Sequence, residues 1–325
     1  MNPDPIFQIL LGYRAAATLR AAIELDCFSA IAEGKRTARA ISVSRGGTVR
    51  SIRILLDALS AIAPNILRKT GGRYALTRLS RRFLIRSSRE FIGRLMPLYG
   101  HRMMWDAFQE LPRAVRSGTS VMARNAHTRH QPFWEDFARA TAEDAVPKAK
   151  AMLRLLRKGP PHPEILDIAC GSGVYGATFV KGIPGATLTL LDQPNVLRAT
   201  RRLVDVPSRY IAGDLFTTPF GGPYDLVIAS HVFHHFDRPE CVRLARKVAR
   251  ALKPGGRLVI QEFVPDEGRV KRAQPLLFAV TMLVWSRAGD AYTFPEIRGW
   301  LREAGLRRIE YHPVRQPGDV IVALK

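Results

Sequence analysis

The turn Ala169–Gly173 is the feature that most constrains the fold of this chain. An apolar strand is predicted over Ile165–Ile168, and a helix is predicted to start near Val174. The pattern is acidic-x-small-x-Gly-x-Gly, with Asp167 as the acid, and not the Gly-x-Gly-x-x-Gly of a dinucleotide site. Glycines here let a ligand approach the backbone amides. Since open α/β sheets bind nucleotides at strand carboxyl ends, we predict a ligand site; a tight strand–helix connection is the alternative.

Acidic residues follow the next two predicted strands. Asp192 ends the strand 187–191, about 20 residues after the glycine turn, where it is placed to accept hydrogen bonds from ribose hydroxyls. Asp214 follows a third short strand, 210–211, and can accept from an exocyclic amine. Leu215, next to it, can cover the face of a purine. These side chains predict a nucleoside-containing ligand.

A fourth predicted strand, 225–230, ends at Ser230 and is followed by a histidine-rich turn that contains His234. A helix over 240–252, the turn Lys253–Gly256 and a fifth strand over 257–263 complete the central pattern. Further along the chain a helix is predicted over 294–304 and two last strands over 307–311 and 319–324. Taken together, the order and spacing of these motifs are much more specific than any one of them alone.

The set resembles the class I S-adenosylmethionine (SAM)-dependent methyltransferases. Within them it is similar to the small-molecule O-methyltransferases that include the caffeate, hydroxyindole and bacterial polyketide enzymes. The resemblance covers nearly the whole chain and is strongest over residues 160–265. It implies an α/β fold, with a seven-stranded Rossmann-like methyltransferase sheet and an N-terminal, mainly helical winged-helix domain. It also implies SAM as cofactor, with cofactor-binding residues at Asp167, Ala169, Gly171, Gly173, Asp192, Asp214, Leu215 and Ser230.

The resemblance assigns catalysis to His234 and Glu262. A phenol or enol is a poor nucleophile until it loses a proton, and an imidazole can take that proton near neutral pH. His234 matches the general base of the family and Glu262 the carboxylate that orients it; two structural side chains would be the alternative. The family's third acid is replaced by Ala291, with Asp290 beside it, so standard O-methylation is less firmly implied. His235 is expected to be a surface or helix-entry residue.

Substrate-binding residues are expected in two further segments. Phe133, Phe137 and Thr141 recur at i, i+4 and i+8, which places them on one helix face. In the family this helix covers the acceptor with two aromatic residues and a methionine, so Thr141 departs from the pattern. Met282 and Ser286 fall where the family places acceptor contacts. Core packing between domains is the alternative for the phenylalanines.

Three regions are predicted: a winged-helix dimerisation domain over 1–95, linking helices over 96–158 and a SAM-binding domain over 159–325. The first region has an apolar helical stripe within 6–33. Helices at 37–42 and 48–59 and a hairpin from 66–68 and 74–76 follow. A homodimer is the expected assembly, since the stripe exceeds what a solitary winged helix needs; DNA binding through the same module is the alternative.

Composition separates these alternatives only in part. The net charge of +22 suits nucleic acid or an anionic surface, but 40 of the 50 basic residues are arginines and none forms a block of like charges. The three cysteines lie far apart, and no His, Cys or carboxylate group shows metal spacing, so we expect no metal and a cytoplasmic, reducing location. No apolar run of about 18 residues and no secretory signal are found, so no membrane association is expected. His127 and His130 receive no role.

Three functions are therefore considered. The first is a SAM-dependent methyltransferase that acts on a hydroxyl of a small aromatic or polyketide-like acceptor. The second is an atypical SAM-binding homologue that methylates carbon or nitrogen, or that performs hydroxylation or decarboxylation. The third is a DNA-binding regulator that senses SAM. The absent third acid favours the second function, and the wing and the charge favour the third.

Overall fold

A computed structural model describes residues 2–122, 126, 128, 131–156, 162–314 and 318–325. They form two compact units, Met1–Gly100 and His101–Lys325. The boundaries that we predicted at residues 95 and 158 stay predictions, and the second of them falls within 157–161, outside the described residues. His127 and His130 also lie outside them.

The first unit is helical, with one hairpin. Its helices are α1 (Asp4–Leu10), α2 (Gly12–Glu24), α3 (Cys27–Ala32), α4 (Ala38–Arg45), α5 (Val49–Ile62), α6 (Arg78–Phe83), a short 3₁₀ helix (Ile92–Leu95) and α7 (Met96–Tyr99). Strands β1 (Leu67–Thr70) and β2 (Arg73–Leu76) pair antiparallel. Thr48 and Ser51 form a reciprocal capping box at the start of α5. The order α4, α5, hairpin is that of a winged helix.

One face of the first unit's initial helices is apolar and exposed. Ile9 is 84% exposed and Leu10 65% exposed, and Ile6 and Tyr13 are also largely in solvent. Large apolar patches on a soluble fold mark interaction sites. Among the described residues no single helix is long and apolar enough to cross a membrane, although α1 and α2, bent by 44°, together reach the length and composition of a span.

The second unit combines helices with a large sheet. Its helices are α8 (Arg102–Gln109), α9 (Leu111–Ser117), α10 (Phe133–Leu155), α11 (Val174–Gly182), α12 (Pro194–Leu203), the 3₁₀ helix Phe233–His235, α13 (Arg238–Ala251), α14 (Ala273–Trp285) and α15 (Phe294–Glu303). Its strands are β3 (Glu164–Ile168), β4 (Thr187–Asp192), β5 (Arg209–Ala212), β6 (Tyr224–Ser230), β7 (Leu252–Glu262), β8 (Arg307–His312) and β9 (Asp319–Leu324).

The strand order explains where a ligand can bind. In the described part of the chain seven strands form one sheet in the order β5-β4-β3-β6-β7-β9-β8, parallel except for β9, which is antiparallel to both neighbours. The order reverses between β3 and β6, and such a switch point opens a crevice at the strand carboxyl ends. The predicted fold class is confirmed, and the last two strands lie where the sequence predicts them and pair antiparallel.

Two local features differ from the predicted elements. Lys253–Gly256 lies within β7 and not in a turn before it, because β7 starts to pair at Leu252 with Tyr224. The next pair is Leu226 with Arg257, so the extra residues bulge out of the ladder. The segment after β7, which has no predicted element before residue 294, contains α14. This helix is apolar on nearly all sides, so a helical period is hard to recognise in its sequence.

Candidate functional site

The turn after β3 has the backbone that its small residues allow. Ala169, Gly171 and Gly173 all have positive φ, at 48°, 53° and 71°. A Cβ at Gly173 would lie 2.6 Å from a methyl of Val204, so only glycine fits there. A Cβ at Gly171 would meet no atom within 4 Å, so this side of the turn is open to a ligand. The turn therefore offers backbone to an approaching molecule, as the sequence predicts.

Asp192 and the turn are directly connected. The Gly171 N–H donates to Asp192 Oδ2 at 2.8 Å, and the Gln193 N–H donates to Oδ1 at 2.7 Å. Burial raises the pKa of Asp192 to about 6. Both donors are backbone amides, so the carboxylate keeps acceptor capacity for hydroxyl donors.

Asp167 is buried beneath the turn. Its Oδ2 accepts from the Gly176 N–H at 3.0 Å, in the first turn of α11, and not from an amide of the turn itself. Burial, with a smaller effect of the Asp192 charge, holds the pKa of Asp167 well above its ordinary value. This side chain braces the start of the helix.

The predicted purine contacts lie after β5. Asp214 is exposed, and its Oδ1 accepts from the N–H groups of Phe216 and Thr217 at 2.8 and 3.1 Å. Leu215 and Phe216 are half-buried against the core. Ser230, at the end of β6, donates its hydroxyl to Gln261 Oε1 at 3.2 Å. Asp192, Asp214 and Ser230 thus all lie at the carboxyl edge of the sheet.

His234 and Glu262 form a buried pair. The side chains are only 7% and 5% exposed, and His234 Nδ1 lies 2.7 Å from Glu262 Oε2. The other oxygen, Oε1, accepts from the backbone N–H groups of Phe233 and His234 at 2.9 and 3.3 Å. Burial raises the pKa of Glu262 to about 7 and lowers that of His234. When Nδ1–H donates to the carboxylate, Nε2 is the nitrogen with the lone pair.

Aromatic rings enclose this pair. We call the following set the histidine–aromatic cluster: His231, His234, His235, Trp134, Phe263 and Phe278. Phe278 meets His234 edge-on with ring centroids 4.7 Å apart. The His235 ring lies 4.3 Å from that of His234 and 5.4 Å from that of Trp134. Of the two expected positions, a surface or a helix entry, the first is wrong, because His235 is half-buried among rings. The rings exclude water from the imidazole.

The predicted acceptor residues reach the cluster through Trp134. Phe133 is buried, with its ring 5.3 Å from Trp134, and Phe137 lies 5.5 Å from Trp134 on the same helix. Met282 is also buried, and it shares a face of α14 with Phe278. The Ser286 hydroxyl donates to the Met282 carbonyl and accepts from the Gly289 N–H, so it caps the helix end.

The segment 290–292, which lacks the third acid, supports the turn that contains His234 (the histidine turn), mainly through its backbone. The Asp290 N–H donates to the His234 carbonyl at 3.0 Å. The Tyr292 hydroxyl donates to the Phe236 carbonyl at 2.6 Å. Ala291 is buried. Among the described residues no hydrogen bond joins the Asp290 carboxylate to the His234 ring; its Oδ1 accepts from the Ala291 N–H instead.

Several members of the site were missed by sequence reasoning. Trp134 is next to Phe133 in the sequence, and Phe278 lies one helical turn before Met282. Their positions relative to these two predicted residues could therefore have identified both. His231 is a further member that is not among the predicted site residues. It shares with His234 and Glu262 a group of ligand-type atoms that all lie within 4.8 Å of one another. Their spacing in sequence, three and 28 residues, does not suggest such a group.

Known families match both units of the chain. The model of the O-methyltransferase domain matches residues 106–307, and that of the O-methyltransferase dimerisation domain matches residues 7–86. Because the first match alone covers more than half of the chain, the chain belongs to the O-methyltransferase family. The family assignment and the enzyme class inferred from the sequence are thereby confirmed.

Individual proteins agree with this assignment. Acetylserotonin O-methyltransferase of Mus musculus is 28% identical, over 97% of this chain and 86% of its own length. The 3-hydroxy-5-methyl-1-naphthoate 3-O-methyltransferase of Streptomyces sahachiroi is 25% identical, over 97% and 93%. A crystal structure of a Nostoc punctiforme protein, provisionally named an O-methyltransferase, is 29% identical, covers 100% of both chains and has a TM-score of 0.95. SAM is the cofactor of this family, as predicted.

Gly289 offers a test of the histidine turn's support. A Cβ at this position would lie 2.2 Å from the His234 carbonyl oxygen and 2.4 Å from Ser286 Oγ. We expect Gly289→Ala to destabilise the protein by ~1–3 kcal/mol, as overpacking does. Gly299→Ala is the matched control, because a Cβ there meets nothing within 4 Å on a helix and should be neutral or stabilising. Urea denaturation of both variants checks this, and equal midpoints would contradict it.

Proposed function

We propose that this O-methyltransferase methylates a hydroxyl group of a small aromatic or polyketide-like acceptor and that His234 is its general base. The observation that carries the proposal is the buried 2.7 Å contact of His234 Nδ1 with Glu262, enclosed by aromatic rings. The mouse relative is named for a hydroxyindole derivative and the Streptomyces relative for a hydroxynaphthoate, so ring-bearing acceptors suit the family members that this chain is similar to.

The cofactor would be held at the sheet's carboxyl edge. Open space beside Gly171 leaves room for it, and the Asp192 carboxylate, which accepts from the backbone amides of Gly171 and Gln193, suits ribose hydroxyls. Asp214 suits the adenine amine beside Leu215, Ala169 and Gly173 shape the turn, and Asp167 braces the start of α11 below it. Bound SAM supplies an electrophilic methyl group on a sulfonium sulfur. The chain's own work is to place the acceptor and to remove its proton.

His234 would remove that proton at Nε2. The charge that develops on the imidazole is then balanced by Glu262 on the Nδ1 side, in surroundings that exclude water. Two backbone N–H donors on Oε1 favour the ionised form of Glu262, which keeps the Nδ1–H tautomer and hence a lone pair on Nε2. Phe133, Phe137 and Met282 are proposed to bound the acceptor side of this site, and the role of Ser286 is proposed as indirect, through the end of α14.

Asp192→Ala tests the cofactor site. Loss of a hydrogen-bonding carboxylate should weaken SAM binding by ~1.5–3 kcal/mol. Asp205→Ala is the control, since Asp205 is an exposed acid paired with Lys181. Calorimetric titration of SAM into both variants measures the difference. Equal affinity in Asp192→Ala and in the unaltered protein would remove Asp192 from the cofactor site.

His234→Ala tests the base. A general base contributes typically ~10²–10⁴-fold in rate, so turnover should fall by that factor while SAM affinity stays close to that of the unaltered protein. His312→Ala is the matched control, because this histidine pairs with Glu310 away from the cluster. A radiolabelled-methyl assay against phenols, enols and polyketide intermediates gives the readout. Near-normal transfer by His234→Ala would mean that the acceptor arrives already ionised.

The same assay over pH distinguishes this base from others. As the pH falls through about 7, the first proton that the pair gains goes to Glu262, whose pKa is raised, and not to His234, whose pKa is lowered. A protonated Glu262 donates to Nδ1, which moves the imidazole proton to Nε2 and removes the base. We therefore expect turnover to be full above about 7 and to fall below it. Glu262→Gln should be slow at every pH without this inflection; an unchanged inflection would refute the assignment.

If SAM binds and no acceptor is methylated on any atom, the atypical homologue becomes the better proposal. Ala291 is the specific feature that favours it. If carbon or nitrogen atoms are methylated in the same panel, the proposed site stands and only the proposed class of acceptor changes.

We further propose that the chain is a homodimer. The matched dimerisation domain and the exposed apolar face of α1 and α2 support this assembly. An obligate interface of ~2,000 Å² or more is expected. Ile9→Asp should dissociate or weaken the dimer, since Ile9 is 84% exposed in the isolated chain, while Val270→Asp, at a 77% exposed site in the other unit, should not. Light scattering at micromolar concentration measures the mass; a monomeric unaltered protein would refute the proposal.

A further inference from the structure

His231 occupies a strained position next to the base. It follows Ser230 at the end of β6, and its φ of 56° is left-handed, a conformation that few non-glycine residues adopt, although asparagine, aspartate and histidine adopt it more often than the others. Its N–H donates to the Gln261 carbonyl at 2.8 Å, and a Cβ at Gly318 would lie 2.9 Å from its ring. Backbone thus lies against this residue on two sides. Left-handed conformations of non-glycine residues cluster at ligand sites, so this φ points to a ligand role for His231.

One nitrogen of this imidazole has no protein partner. His231 Nδ1 is buried and makes no hydrogen bond within the described residues. Its ring lies 4.9 Å from Phe263 and 6.2 Å from His234, so apolar and aromatic groups surround it. A buried polar atom without a partner is costly, by roughly 1–3 kcal/mol, unless a ligand or ordered water satisfies it.

The missing partner can be a cation shared with the catalytic pair. One ligand atom from each of His231, His234 and Glu262 lies within 4.8 Å of the other two. Two histidines and one carboxylate are a common donor set for zinc and for other borderline divalent metals, at ~2.0–2.2 Å from the ion. Ligands of one ion are then at most ~4.2 Å apart, so small rotations of these side chains are sufficient.

We propose that His231, His234 and Glu262 form a site for one divalent transition-metal ion of the zinc type, and that its occupation arrests methyl transfer. The ion binds one nitrogen of each imidazole and one carboxylate oxygen, and the proton between His234 Nδ1 and Glu262 leaves to solvent. The arrest rests on the proposed function, because it requires His234 to be the base; the binding does not. A metal-bound pair can neither orient the imidazole for proton removal nor balance its charge.

The variant His231→Asn gives the cleanest test of metal binding. Asn tolerates left-handed backbone and lacks the imidazole, so His231→Asn removes one ligand with little strain; His231→Gly is a second variant with the same property. Metal-stripped full-length protein is titrated with Co²⁺, followed by its visible absorption, and with Zn²⁺ by calorimetry. We expect one ion per chain and at least about tenfold weaker binding in both variants, since loss of an outer-shell partner alone costs ~10–100-fold. His312→Ala, which removes the surface histidine paired with Glu310, should bind as the unaltered protein does.

Methyl transfer provides the second readout. Zn²⁺ should inhibit the unaltered protein, a chelator should reverse the inhibition, and His231→Asn should need at least about tenfold more Zn²⁺ for the same effect. Unchanged Co²⁺ and Zn²⁺ affinity in both position-231 variants, or no binding by the unaltered protein at millimolar metal, would overturn the site. Binding that depends on His231 but leaves methyl transfer unaffected would uphold the site and refute His234 as base. Loss of methyl transfer in His234→Ala, together with metal binding that does not depend on His231, would uphold His234 as the base and refute the metal site.

Discussion

The carboxylate of Glu262 determines how the centre of the second unit is arranged. An ionised carboxylate removed from water needs several donors, and Glu262 receives two backbone N–H groups and the His234 ring. All three donors belong to the turn that follows β6, so the path of this turn and the direction of the imidazole follow from one acceptor. Adjacent parallel pairing, with Ser230 opposite Gln261, brings the carboxyl end of β6 next to the residue that precedes Glu262. Register in the sheet therefore sets the geometry of the proposed base.

Two residues with a left-handed backbone lie at the same edge. Ala169 and His231 are non-glycine residues with left-handed φ, and each stands directly after one of the two strands that flank the switch point. Such conformations cost of order 1–3 kcal/mol each and persist only where the surroundings hold them. The strands that precede these two residues are buried: Ile165, Leu166 and Ile168 of β3 and Val227 and Ile228 of β6 are fully buried. Burial of these apolar side chains thus offsets the free-energy cost of the left-handed conformations at the proposed ligand site.

The sequence predicts the fold well because its signals are local. Each parallel strand is an apolar run that ends in a turn with its own chemistry, and Asp192 and Gly171, predicted as partners of one ligand, are indeed hydrogen-bonded to each other. Contacts made across the fold are harder to predict. Phe278 belongs to a helix that is apolar on nearly all sides, so nothing in its sequence says which face meets His234. His231 resembles an ordinary strand-end residue until its φ and its unpartnered nitrogen are known.

The replacement of the third acid by Ala291 has a structural explanation that does not depend on charge. Gly289 approaches the His234 carbonyl so closely that no side chain fits, the Asp290 N–H donates to the same carbonyl, and Tyr292 donates to Phe236. Backbone groups and a phenol hydroxyl therefore hold the histidine turn. Arg269 donates to the Ala291 carbonyl and so holds the segment 289–292 that makes these contacts. With alanine at 291, Glu262 is the carboxylate that contacts the His234 ring, and the backbone of 289–290 contacts the His234 carbonyl.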